Sequence, residues 1–315
     1  MKLEAITTVY SYRFPEIRKI IDEVTTPFPH EVFLSATSPP GALDNFHEHI
    51  IEKILLFYGE SVPNLMDFGF SYPTAGSEEG IREILTQLQT QGVKKIYVLN
   101  GEYEGYEAVA KTRGIETITV EFDTNPRSLE RGYWFISNPS ARDGNIIPNQ
   151  YIREICDAGH KVFYDMAYLG STKQHEFDLN HENIFSAVVS FSKPFGLFYD
   201  RIGVTFSKEP VNSLYANKWF KGILGLMIAE KIVDSLEPTE LHQKYRSTQQ
   251  QIVEGINTLH NLALQPSDAL LLANISPDNV SKLGSDQLSL LEPFKRGKGY
   301  RICLTPYYRK MERGG

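Results

Sequence analysis

Apolar residues recur at helical spacing over 15–24 and 42–58, where Phe46, Ile50, Ile54 and Leu55 share one face. Pro39-Pro40-Gly41 separates the two stretches and breaks any helix there. From about residue 64 the period changes. Short apolar runs at 64–70, 95–99, 116–122, 133–137, 161–165, 185–191 and 202–207 read as strands, with helical patterns at 77–89, 105–112 and 149–158 between them. Strand–helix alternation of this kind predicts a mostly parallel sheet covered on both faces. After Pro210 the pattern turns to long helices, 212–235 and 239–262, and then to short strands at 268–274 and 298–304. These shifts predict three segments. Residues 1–50 contribute to a small domain, 51–210 form a large α/β domain, and 211–315 supply an interdomain helix and a small C-terminal α+β domain.

Composition narrows the class. The chain has 315 residues, 41% hydrophobic and 23% charged, enough for a sizeable core in an ordinary globular protein. A net charge of −7 argues against a nucleic-acid or anionic-membrane partner. The first residues carry no signal-like apolar core, and no apolar run reaches membrane-spanning length. Cys156 and Cys303 stand alone and far apart, and the eight histidines show no metal spacing. The expectation is a cytoplasmic protein without a metal.

The candidate chemistry lies in short segments at strand ends. Lys193 directly follows the apolar run Val188-Val189-Ser190-Phe191-Ser192, where a buried ammonium is costly unless paired or neutral. Ser190 precedes it by three residues, and Gly196, Arg201 and Gly203 follow. Asp165 ends the run Lys161-Val-Phe-Tyr164, which points its carboxylate into the crevice where open sheets bind ligands. Tyr168 comes three residues later. Gly76-Ser77-Glu78-Glu79 lies between a strand and a helix, so backbone N–H groups gather there as an anion cradle. Tyr103 opens a helix in Glu102-Tyr103-Glu-Gly-Tyr106. Arg301, in Gly299-Tyr-Arg-Ile-Cys-Leu304, can pair a carboxylate bidentately.

The pattern Ser-x-x-Lys-x-x-Gly-Leu-x-x-x-Arg-Ile-Gly, with the other segments in order, resembles the class I/II aminotransferase family of pyridoxal 5′-phosphate (PLP) enzymes, fold type I, the aspartate aminotransferase-like group. The resemblance implies a large domain with a mostly parallel, seven-stranded-type sheet and a reduced small domain. It also implies PLP held as a Schiff base on Lys193. Ser190, Arg201 and the Gly76, Ser77 and Glu78 turn would bind the phosphate, with Glu78 contributing its backbone amide. Asp165 would pair the ring nitrogen, Tyr168 the ring oxygen, and Tyr103 would stack on the ring. Arg301 would clamp the substrate α-carboxylate. Asn138 falls in Ser137-Asn-Pro-Ser-Ala-Arg-Asp-Gly144, similar to the family's Asn-Pro-x-Asn-Pro-x-Gly loop. Here Ala141-Arg142 replaces the second Asn-Pro, so either Asn138 takes the ring-oxygen contact or that oxygen loses a donor.

The implied activity is an aminotransferase, with elimination, replacement or cyclisation of an amino acid as the alternative. A nucleotide-binding α/β protein using Gly76 for a different phosphate stands further off, since no full dinucleotide or P-loop fingerprint is present and Lys193 would have no role. No second clamp is recognisable, so the expected substrate is an α-amino acid with a neutral, aromatic or cationic side chain. Family members build active sites at subunit boundaries, which implies a homodimer. Leu214, Trp219, Ile223 and Leu226 would form the apolar face of the 212–235 helix.

Overall fold

A computed structural model describes residues 3–7, 12–35, 45–219 and 221–312. The Pro39-Pro40-Gly41 break lies outside the described residues, as does the start of the 42–58 pattern. The helix described there runs Glu48–Tyr58.

Seven strands form the main sheet: β1 (Phe70–Thr74), β2 (Lys95–Leu99), β3 (Glu116–Val120), β4 (Tyr133–Ser137), β5 (Lys161–Met166), β6 (Ile184–Ser190) and β7 (Gly203–Ser207). Their order is β1-β7-β6-β5-β4-β2-β3, and β7 alone runs against the rest. Helices Gly76–Thr90, Glu104–Thr112 and Asn149–Asp157 connect the strands and bury their apolar sides against the sheet. With both faces covered, β5 to β7 are almost continuously buried, as central strands of such sheets must be. This is the α/β architecture with a mostly parallel seven-stranded sheet expected of PLP fold type I.

A second, antiparallel sheet has the order β10-β11-β9-β8, from β8 (Gln265–Pro266), β9 (Leu272–Ile275), β10 (Lys295–Arg296) and β11 (Gly299–Cys303). Residue Ile6 bridges to Cys303 at its margin. No helix among the described residues is long and apolar enough to cross a membrane.

Two sequence expectations are corrected. Residues 64–67 are not strand but part of a 3-10 turn, Pro63–Asp67, begun by a proline and closed by an Asn64 to Asp67 hydrogen bond of 3.2 Å; β1 starts only at Phe70. The 212–235 stretch is not one helix. A 3-10 segment, Asn212–Lys218, ends before Gly222, and the helix Ile223–Ser235 begins after it. Asn217 diverts the first piece by donating to Pro73 O at 2.9 Å. Leu214 and Leu226 therefore sit in the core of the chain, and the four residues do not make one exposed face.

Candidate active site

Strand register assembles the site. Thr74, Gly203 and Ser190 lie side by side across β1, β7 and β6, while Asp165 pairs with Val188 one strand further along. Everything that follows the ends of β1, β5 and β6, or precedes β7, therefore converges on one rim. There Ser77, Glu78, Tyr103, Asp165, Ser190, Ser192, Lys193, Phe198 and Arg201 line a cavity of about 290 Å³. Seven of the residues singled out in the sequence are among these nine.

Gly76 completes the cradle without lining it. Its φ is +72°, and a Cβ there would lie 3.1 Å from Ser192 Oγ and 3.4 Å from the Arg201 guanidinium. Only glycine gives both the left-handed turn and the room. Glu79 holds this turn from behind, accepting from the Ala75 N–H at 2.5 Å and from Asn217 at 3.3 Å. The Glu78 carboxylate lies on the cavity wall and accepts from Tyr103 Oη at 2.7 Å. Arg201 has φ +49°, an uncommon backbone state for a side-chain-bearing residue, directly before β7. Its guanidinium stacks 5.5 Å from the Phe198 ring and makes no ion pair among the described residues.

Asp165 is fully buried. Its Oδ2 accepts from Tyr106 Oη at 2.8 Å and its Oδ1 from the Ala167 N–H at 3.0 Å. Burial pushes its carboxyl above the ordinary carboxylate range, opposed by the Lys193 charge and these two donors. Lys193 Nζ lies 4.4 Å from the Tyr168 ring centre and 5.4 Å from that of Tyr103. Tyr168 Oη and Ser192 Oγ are buried with no partner among the described residues, which is costly for polar atoms unless something else completes them. Ser192 and the Asp165 partner Tyr106 were not singled out as site residues. The signal for Ser192 was its place beside Lys193, two residues after Ser190.

Asn138 and Arg301 stand apart from the cavity lining. Both sides of the Asn138 amide are engaged: it donates to Ile147 O and Tyr164 Oη and accepts from the Ile147 N–H. Arg301, 5% exposed, donates to Ala141 O at 2.5 Å and to Thr7 O at 2.7 Å, and its Nε is unpartnered. Ala141 belongs to a small apolar cluster with Tyr168, against which Tyr103 packs, so Arg301 is one residue removed from the cavity wall. Beneath this loop lies Glu102, buried and accepting from the hydroxyls of Ser137 and Ser140. Burial raises its pKa, and the two hydroxyls pull it back.

The model of the aminotransferase class I and II family matches residues 72–254. Among solved structures, L-threonine-O-3-phosphate decarboxylase from Porphyromonas gingivalis superposes with a TM-score of 0.66 at 15% identity, covering 98% of both chains. A C-S lyase from Staphylococcus hominis gives 0.71 at 12% identity, covering 99% of this chain and 87% of that one. Histidinol-phosphate aminotransferase from Sinorhizobium meliloti gives 0.65 at 15% identity, covering 95% and 85%. A search of curated protein sequences returns no match.

Proposed function

Because the chain belongs to the aminotransferase class I and II family and is thus a PLP-dependent enzyme of fold type I, we propose that Lys193 carries its cofactor and that an α-amino acid is transaminated there. The observation that carries this reading is the setting of Lys193. Its Nζ stands between two tyrosine rings beside the fully buried Asp165, with no carboxylate bonded to it among the described residues. A lysine so placed is tied up by no carboxylate and faces the cavity, where its amine can condense with an aldehyde.

The residues present fit the cofactor. The unpartnered Ser192 Oγ, the unpaired Arg201 guanidinium and the Gly76 turn form an open anion cradle at the start of the helix Gly76–Thr90. Ser190 and Ser77 complete it on the lining. Asp165 supplies a buried carboxylate for the ring nitrogen, Tyr168 an unpartnered hydroxyl for the ring oxygen, and Tyr103 an aromatic wall. When bound, PLP supplies an aldehyde that condenses with amines and a ring that accepts the electron pair left on the substrate α-carbon. Asp165 as a carboxylate keeps a proton on the ring nitrogen. Lys193 Nζ, facing the cavity, would take the α-proton of the substrate and return it. Arg301, whose guanidinium otherwise meets only carbonyl oxygens, is suited to the substrate carboxylate.

Localisation in the cytoplasm and assembly as a homodimer belong to this reading, as does a substrate side chain that is neutral, aromatic or cationic. One observation favours a second reaction class. Ala141 stands where the family pattern has its second asparagine, which leaves Tyr168 to serve the ring oxygen, and changed ring electronics suit elimination, replacement or cyclisation. Borohydride reduction and peptide mapping should place the pyridoxyl group on Lys193; finding it on another lysine would overturn the assignment. Turnover that requires a keto acid supports transamination, and turnover without one supports the second class.

A further inference from the structure

One carboxyl group controls both peptide units around Ala141. The Ala141 N–H donates to Ser137 Oγ at 2.6 Å, and that hydroxyl in turn donates to Glu102 Oε2. The Arg142 N–H donates to Ser140 Oγ at 3.2 Å, and that hydroxyl donates to Glu102 Oε1. The Arg142 N–H shares a rigid planar unit with the Ala141 carbonyl, the group that accepts from Arg301 Nη1. A path of hydrogen bonds therefore runs from Glu102 through Ser140 and one peptide plane to the guanidinium. Each hydroxyl both accepts and donates, so each bond in the path strengthens the next.

Glu102 also directly precedes Tyr103, which lines the cavity, and lies between β2 and the helix Glu104–Thr112. A fully buried carboxyl is expensive in itself. Loop 137–144 already has its own backbone bonds, Gly144 N to Ser140 O at 2.7 Å and Ser140 N to Asn145 O at 2.8 Å, so closing the loop does not require the acid. What those bonds leave unset is the orientation of the 141–142 peptide.

We propose that Glu102 is a positioning residue that acts through Ser137, Ser140 and the Ala141–Arg142 peptide to orient Arg301 toward the carboxylate of the substrate. This rests on the reading of Arg301 as the carboxylate clamp of a PLP enzyme. Its signature is selectivity: disturbing Glu102 weakens ligands that bear an α-carboxylate and spares those that lack one.

The test uses cofactor-loaded wild-type protein and Glu102→Gln, which keeps the shape but replaces one accepting oxygen with an NH2 group. Binding of an α-amino acid and of the amine lacking its carboxyl group is read from the change in cofactor absorbance. Expected is a loss of about 10- to 100-fold in amino-acid affinity, the scale of a charge-assisted bond misaligned, with amine affinity and the amount of cofactor on Lys193 unchanged. Unchanged amino-acid binding, or an equal loss for amine and amino acid, overturns the proposal. Ser140→Ala keeps the carboxyl and cuts one arm, so it should show the same selectivity at a few-fold scale even if Glu102→Gln folds poorly. Absence of that selectivity in Ser140→Ala counts equally against it. If wild-type Lys193 carries no cofactor, the functional reading itself fails, which is a separate result.

Discussion

At the Gly76 end of the cavity, polar groups are left over: Ser192 Oγ has no partner, and Arg201 makes no ion pair among the described residues. Around loop 137–144, set back from the cavity lining, nearly every group is used. Glu102 takes two hydroxyls, Asn138 is engaged on both sides of its amide, and Arg301 rests on two backbone carbonyls. The first end brings a free hydroxyl and a guanidinium to a glycine turn, the donor set that suits an anion. The second is largely completed from within, with the Arg301 Nε and the neighbouring Tyr168 Oη left unpartnered among the described residues. The difference fits the proposed division of labour, in which the first part holds the cofactor and the second orients the substrate.

The sharpest way to break this comparison lies between the two ends. Asp165→Asn should retain PLP, because the anion cradle is untouched, yet lose two to four powers of ten in kcat, about 3–5 kcal/mol of lost stabilisation. Near-native turnover would refute the role of Asp165. At the orienting end, Arg301→Ala should raise KM for amino acids by about one to three powers of ten with little change in bound cofactor. Normal handling of amino acids would place the carboxylate elsewhere. At the receptor end, Gly76→Ala should do the reverse, weakening cofactor binding by roughly fivefold, a cost of about 1 kcal/mol for the left-handed turn and the crowding at Ser192. Fluorescence titration of the apo-protein measures it, and unaltered affinity would move the phosphate away from this turn.

The smallest effect concerns pH. In the folded protein the Glu102 carboxyl sits above its ordinary value of 4.5 because of burial. Through the window above 4.5 the folded state holds a proton that the unfolded state has released, so stability falls as pH rises toward the folded value. Below 4.5 the contribution is fully present. Urea unfolding of the apo-protein across this range should show a shallower fall for Glu102→Gln than for wild type; parallel curves would mean that the buried carboxyl is not strained in this way.

The same contrast explains what could be read in advance. Asp165, Ser190, Lys193 and Arg201 occupy or follow strand ends, and the sheet register leaves little choice about where such residues go. Their gathering at one cavity was legible because local pattern and long-range geometry coincide. Asn138 was not legible in the same way: its amide is claimed by Ile147 and Tyr164, and neither contact leaves a trace in the loop's own sequence. Glu102 carries no such signal, because the serines that bury it come 35 and 38 positions later. The 212–235 pattern was misread as one helix for a related reason. Its apolar spacing continues across Gly222, while the Asn217 bond to Pro73 that fixes the first piece spans 144 positions.

The placement of β1 has a consequence for the order in which the protein is made. This strand stands at the edge of the sheet and pairs only with β7, Thr74 opposite Gly203 and Phe70 opposite Ser207. It is therefore the first strand of the sheet to be synthesised and must wait for the last before it has a neighbour. Until β7 has been added, residues 70–74 have no ladder to join, and no strand pairing holds the Gly76 turn beside Arg201 and Ser192. Nascent chains ending just before Gly203 lack this strand pairing, although they already contain Asp165, Ser192, Lys193 and Arg201. Pairing at the oldest edge of the sheet is thus a late event in the life of each chain.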